Sequence, residues 1–153
     1  MVDIALYQPE IPPNTGNIIR LCANFGARLH LIKPLGFALD NRKLRRAGLD
    51  YREWAQVQQY DSLGEFLSAL TPTRLIAFTT KGNSLLHQFE FLNGDVLLFG
   101  PETRGLPLEI LRSIPNDRWL RIPMRAESRS LNLSNAVAIA CFEINRQLGF
   151  KTG

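Results

Sequence analysis

Long apolar runs are missing from this chain. Nowhere in its 153 residues do eighteen consecutive apolar positions occur, the least a membrane-spanning helix needs, so a membrane span is excluded. Cysteine is scarce as well. Cys22 and Cys141 are the two present, each inside apolar helical sequence, which predicts buried free thiols in a reducing compartment rather than a disulfide framework. No basic leader or cleavage site accompanies Val2-Asp-Ile-Ala-Leu-Tyr7, and the opening reads as cytosolic. His30 and His87 stand far apart, and no His, Cys or carboxylate cluster has metal-ligand spacing, so no metal site is expected. The glycine frames of nucleotide sites are absent too. Pro9-Glu-Ile-Pro-Pro13 follows the first strand where a dinucleotide fingerprint would stand, and Thr79-Thr-Lys-Gly82 lacks the first glycine of a phosphate loop.

What is present describes one ordinary globular domain over residues 1–153, 45% hydrophobic, with no repeat, linker or low-complexity tract. The 18 Lys and Arg against 14 Asp and Glu leave a net charge of +4. Its distribution says more than its size. Arg42, Lys43, Arg45 and Arg46 lie within five residues, and Arg118, Arg121, Arg125 and Arg129 recur further on. Such a run is either a solvated face or a set of phosphate contacts, since clustered cations release counterions and Arg forks onto phosphate oxygens. The nearness of the second group to a ligand-type loop favours phosphate.

Strand-like runs occupy Asp3–Tyr7, Arg28–Ile32, Arg74–Thr79, Asp95–Phe99 and Trp119–Ile122. Helical stretches over Thr15–Phe25, Ser62–Leu70, Leu108–Ser113 and Leu133–Leu148, with a turn at Arg42–Ala47, separate most of them. This alternation predicts an α/β domain with a mostly parallel sheet flanked by helices, in which ligands bind at the carboxyl ends of the strands. In the last helix Leu133, Val137, Cys141, Ile144 and Leu148 keep the helical period, and Gly149 supplies a stop. Ala136, Ala138, Ile139 and Ala140 make it apolar around most of its circumference. Such a helix is packed on two sides, within one protomer or in a homodimer.

Three segments carry the chemistry. Gly100-Pro-Glu-Thr-Arg-Gly-Leu-Pro107 follows the strand Val96-Leu-Leu-Phe99, and Ile122-Pro-Met-Arg-Ala-Glu-Ser-Arg-Ser-Leu-Asn-Leu-Ser-Asn-Ala136 follows Trp119-Leu-Arg-Ile122. Strands ending in such turns leave main-chain N–H and C=O groups free to read a small polar ligand. The second loop enters its helix through Ser130, Asn132 and Ser134, all capping residues. With Asn14-Thr-Gly-Asn-Ile-Ile-Arg20, these segments resemble the three motifs of the SPOUT RNA methyltransferases. The similarity is strongest to the minimal branch that methylates a ribose 2′-oxygen at the wobble nucleotide of tRNA. The third segment is the most specific of them.

The resemblance implies S-adenosylmethionine as cofactor and a deep C-terminal trefoil knot around it. It also implies a homodimer, and the tRNA anticodon stem-loop as partner. By the same resemblance Phe78, Thr79, Gly100, Glu102, Gly105, Ile122, Met124, Ser130 and Leu131 enclose the cofactor. Asn14, Lys81, Arg104 and Asn132, with the run Arg42, Lys43, Arg45 and Arg46, face the substrate. Physical roles suit these types: glycines admit backbone, and Ile122 and Met124 can sandwich a purine. Arg20, with Asn14 as a candidate N-cap of its helix, takes the catalytic position. As a base it would have to lose a proton at a cost of roughly 7–9 kcal/mol. Hydrogen bonding to a developing 2′-oxyanion asks far less. Phe142 stands where related sequences often carry Tyr. Two other readings remain: the same chemistry on ribosomal RNA, and an RNA-binding dimer without catalysis.

Overall fold

The computed structural model of the protein describes residues 1–54, 56–71 and 74–150. Seven parallel strands form one sheet: β1 (Asp3–Tyr7), β2 (Arg28–Ile32), β3 (Val57–Tyr60), β4 (Arg74–Phe78), β5 (Ser84–Leu85), β6 (Asp95–Phe99) and β7 (Trp119–Arg121). Their spatial order is β3-β2-β1-β6-β4-β7-β5. Among the described residues six α-helices accompany them: α1 (Pro12–Phe25), α2 (Asn41–Arg46), α3 (Tyr51–Trp54), α4 (Leu63–Leu70), α5 (Leu108–Arg112) and α6 (Leu133–Leu148).

Alternation along the central strands explains the layering. Ile4 and Leu6, Ile76 and Phe78, and Leu97 and Phe99 face one side, where they pack with Ile18, Ile19 and Cys22 of α1 and Val137, Cys141 and Ile144 of α6. Ala5, Ala77, Val96 and Leu98 face the other, against Phe66 of α4 and Ile110 and Leu111 of α5. Strands covered on both faces read as continuous apolar runs, which is why β6 was legible. By contrast β3 is Val-Gln-Gln-Tyr at the sheet edge and β5 has two residues. Neither was expected, nor was α3.

The helix ends follow local chemistry. Ser62 caps α4 by accepting the Glu65 N–H at 3.0 Å. Asn132 caps α6 through its Oδ1, which accepts the Ser134 N–H at 2.9 Å and the Asn135 N–H at 3.3 Å. Helix α1 starts at Pro12-Pro13, residues whose missing N–H groups are no loss in a first turn. This corrects one expectation. Ile11 is the N-cap and Asn14, buried, lies inside the helix.

At the amino end of the sheet, two ion pairs join strand neighbours in register. Asp3 and Arg28 are partners across β1 and β2, and the Arg28 guanidinium donates to both Asp3 oxygens at 2.7 Å. Arg74 and Asp95 repeat the pattern across β4 and β6, at 2.7 and 2.6 Å. Buried His30 meets Asp3 at 2.7 Å and the Tyr60 hydroxyl at 3.0 Å. Cys22 and Cys141 are buried free thiols, and burial pushes the Cys141 thiol up to about 11.

Candidate active site

The loops leaving β4, β6 and β7 at their carboxyl ends enclose one cavity of about 280 Å³. Phe78, Thr79, Gly100, Glu102, Gly105, Ile122, Met124, Ser130 and Leu131, all named from sequence, line it, together with Lys81 and Arg104. Phe78 and Phe99 stack at its floor with centroids 4.5 Å apart. Two glycines make the fold of these loops possible. A Cβ at Gly100 would run into the backbone of Gly105 and Leu106, so the loop can close on itself only there. At Gly82 a Cβ would lie 2.6 Å from the Trp119 carbonyl oxygen, so the link after β4 crosses β7 in direct backbone contact.

Glu102, in the cavity lining, is bonded to the start of α1. Its carboxylate accepts the Glu10 N–H at 2.9 Å and the Ile11 N–H at 2.5 Å, N–H groups at the start of α1, where a negative charge is favoured by the helix dipole. Glu10 answers by accepting the N–H and hydroxyl of Thr103 at 3.0 and 2.7 Å, and these bonds from Thr103 lower its pKa. Asn14 donates to Glu102 at 3.4 Å and accepts from Asn132 at 2.9 Å. One hydrogen-bonded chain therefore runs through all three motifs. Arg104 is steadied by the Gln8 side chain at 3.2 Å. Gln8 itself has φ 49°, a left-handed conformation that costs energy in a residue other than glycine.

Arg20 is not in this cavity. It lines a separate hollow of about 390 Å³ between α1, α2 and the 33–40 loop, and the two spaces share no residue. Its guanidinium donates to the Gly48 carbonyl and pairs with Glu53 at 3.4 Å. Lys43 lines the same hollow, while Arg42, Arg45 and Arg46 are exposed on α2. Asn14, on the same helix as Arg20, ties α1 to the cavity loops through the chain just described. Among the described residues, no group of three or more His, Cys, Asp or Glu side chains is placed to hold a metal ion.

Residues 1–142 match the SpoU rRNA Methylase family. The chain belongs to that family. A relative from Aeromonas hydrophila, a tRNA (cytidine(34)-2′-O)-methyltransferase, is 59% identical over 150 residues, covering 98% of this chain and 96% of its own. A solved structure concerned with the 2-OH methylation of C/U34 on tRNA is 50% identical with TM-score 0.88, covering 97% of this chain and 96% of that one. An rRNA methyltransferase from Sinorhizobium meliloti bound to AdoMet is 26% identical, with TM-score 0.82; the match covers 96% of this chain and 56% of the other.

In this SpoU-family chain sequence reasoning missed Gln8, Glu10 and Thr103, which hold the motif loops together. The signal was available, since Gln8 and Glu10 follow the carboxyl end of β1, the edge where an α/β sheet binds ligands. Arg121, named from sequence only as one of a basic group, lines the cavity and donates to the Gly82 carbonyl at 3.3 Å. On α6 the outward Ile139 and Phe142 are 42% and 53% exposed and form an apolar hollow with Leu86, Ile122 and Pro123. No helix of the described residues is long and apolar enough to cross a membrane.

Proposed function

We propose that this SpoU-family protein is a tRNA 2′-O-methyltransferase that carries a methyl group from S-adenosylmethionine to the wobble ribose, at C34 or U34 of the anticodon loop. The observation that carries the proposal is the convergence of β4, β6 and β7 loops on one cavity lined by all nine motif residues. The relatives' names and the AdoMet-bound neighbour support the substrate and cofactor. The residues suit that cofactor. Ile122, Met124 and Leu131 offer apolar walls for a purine, Thr79, Lys81 and Ser130 offer polar partners, and the loop around Gly100 brings main chain close.

When bound, the cofactor supplies a methyl group on a sulfonium that is already a good leaving group, so position does most of the work. Thr79, Gly100 and Gly105 would fix the cofactor while Lys81, Arg104 and Asn132 present the RNA. Arg20 would donate hydrogen bonds to the 2′-oxygen as its negative charge develops, which is where preorganised donors are most effective. Because Arg20 and the cavity share no residue within one protomer, the reading includes a homodimer in which α6 surfaces meet and one subunit's Arg20 serves its partner. The apolar hollow at Ile139 and Phe142 supports that surface. Val137, by contrast, is fully buried within the protomer, so Ile139→Glu is the informative change. It should turn a sedimenting dimer into a folded monomer without activity. A deep trefoil knot belongs to the same reading. The strand order supports it, since β7 lies between β4 and β5, which are consecutive in the chain. The reading places the enzyme in the cytoplasm.

Alkali provides the test. RNA cleavage by base needs the 2′-oxygen as nucleophile, and its methyl ether blocks one step of the ladder. Purified protein with S-adenosylmethionine and unmodified tRNA should give one resistant step, at the wobble nucleotide, with the base unaltered. A methyl group on a base would refute the reaction, and resistance confined to ribosomal RNA would replace the substrate.

A further inference from the structure

The hollow beside Arg20 has features that methyl transfer does not use. Its walls are apolar: Phe37 and Leu39 from the 33–40 loop, Pro13 of α1, and Leu44 of α2. Its rim is basic, with Arg20 and Lys43 in the lining and Arg42, Arg45 and Arg46 on the same short helix. Thr15 contributes to the wall. That residue is 1% exposed, and its hydroxyl has no hydrogen-bond partner. A helical Thr ordinarily returns its hydroxyl to the carbonyl four residues back. Here that carbonyl, of Ile11, already accepts the N–H groups of Asn14 at 3.1 Å and Thr15 at 3.4 Å. An orphaned buried hydroxyl is costly, and it marks the place where a ligand polar group would be satisfied.

The geometry points to a nucleobase pocket: an unstacked base of the anticodon loop, other than the methylated nucleotide, enters between Phe37 and the α1 wall and is read by the Thr15 hydroxyl. This rests on the tRNA reading above and extends it to a second nucleotide. Single-stranded RNA is recognised by splaying bases onto aromatic side chains while cations hold the flanking phosphates. An aromatic wall and a basic rim supply those two needs, and one buried polar atom adds a partner for the base edge. The volume of about 390 Å³ leaves room for a base. The α2 cations thereby gain a specific purpose, since they would hold the phosphates on either side of the inserted nucleotide.

Binding of the intact protein to anticodon stem-loops in which each loop nucleotide in turn is made abasic tests this, with affinities read by anisotropy at fixed salt. One abasic position other than the target should weaken wild-type binding roughly ten- to a hundredfold, the range expected for losing a base stacked on an aromatic ring. Phe37→Ala should lose a similar factor on intact RNA and nothing more on that abasic RNA. Thr15→Val should raise the melting temperature of the free protein, because an unsatisfied hydroxyl is gone, yet weaken binding of intact RNA alone. Unchanged S-adenosylhomocysteine affinity in both variants verifies their fold. If both variants bind intact RNA as wild type does, or if their losses add to every abasic change equally, the pocket is refuted. Wobble methylation by the wild type, measured on the same RNAs, separates the two readings. Its absence sinks the tRNA assignment, whereas its presence without coupling sinks the pocket alone.

Discussion

The two ends of the sheet obey different rules. At the amino end, Asp3 with Arg28 and Asp95 with Arg74 close neighbouring strands in register through paired, doubly hydrogen-bonded charges, and His30 and Tyr60 complete one of the networks. At the carboxyl end the chain adopts left-handed conformations at Gln8 and Gly105 and leaves the Thr15 hydroxyl unsatisfied in the adjoining helix. Hydrogen bonds accepted by the Glu10 and Glu102 carboxylates hold loops there rather than strands. Satisfied charge stabilises one end; strained loops and open space serve the other. A fold can then lose stability and activity independently, and each prediction below tests that separation.

The largest effect belongs to Arg20. Arg20→Ala should lower turnover by about a hundred- to a thousandfold, the size seen for removal of an oxyanion donor. S-adenosylhomocysteine affinity by calorimetry should be retained, since the arginine lies outside the cavity. A collapse of cofactor affinity in a folded variant would place Arg20 on the wrong side. Next comes Asp95→Ala at the opposite end. The Arg74 side chain, only 19% exposed, would lose its carboxylate partner, at a cost of about 3 kcal/mol in denaturant unfolding. Specific activity of the folded fraction should be preserved. Loss of activity without loss of stability would erase the division between the ends.

How much of this was written in the residues varies with sequence distance. The cavity was legible because most of its lining lies in two contiguous motifs, with glycines, prolines and caps in order, and at the carboxyl end of β4. Phe78, Gly100 and Met124 meet where the motifs predict. The separation of Arg20 from the cavity was not legible, because helical register gives a residue's neighbours along α1 but not which space that face borders. The Asp3–His30–Tyr60 network escaped for another reason. Its members are 27 and 30 residues apart, and only strand register brings them together. Helix α6 divides between the two cases. Its apolar circumference led to an expectation of packing on two sides, but within the protomer one face is buried, and only coordinates distinguish buried Val137 from outward Ile139.

Two smaller effects sharpen the contrast. Replacing Arg42, Lys43, Arg45 and Arg46 with Gln should reduce the log–log salt slope of RNA binding by roughly 3, since each phosphate contact contributes about 0.7–0.9. Cofactor binding should not change. An unaltered slope would return α2 to the role of a solvated face. At the amino end, burial raises the Asp3 pKa, but hydrogen bonds from His30 and Arg28 outweigh it and the net shift is downward. A carboxyl whose folded pKa is depressed contributes stability that is full above its unfolded value of about 3.9 and disappears as pH falls through the folded value. Unfolding free energy should therefore decline below about pH 4, and Asp3→Asn should show a shallower decline. Equal slopes would assign the acid sensitivity elsewhere.

The position of β7 governs the timetable of assembly. β4 and β5 are consecutive in the chain, yet they become neighbours only through a strand made more than thirty residues after β5. Contacts this distant along the chain are formed slowly. During synthesis, β1, β2, β4 and β6 can pair while the ribosome is still producing the last helix. The cavity, whose lining extends to Ala136, lacks one of its walls until that stretch has emerged and settled. Binding of cofactor is therefore a report of finished folding. A partly made or misthreaded chain, however well its central strands are paired, would be unable to take up the methyl donor.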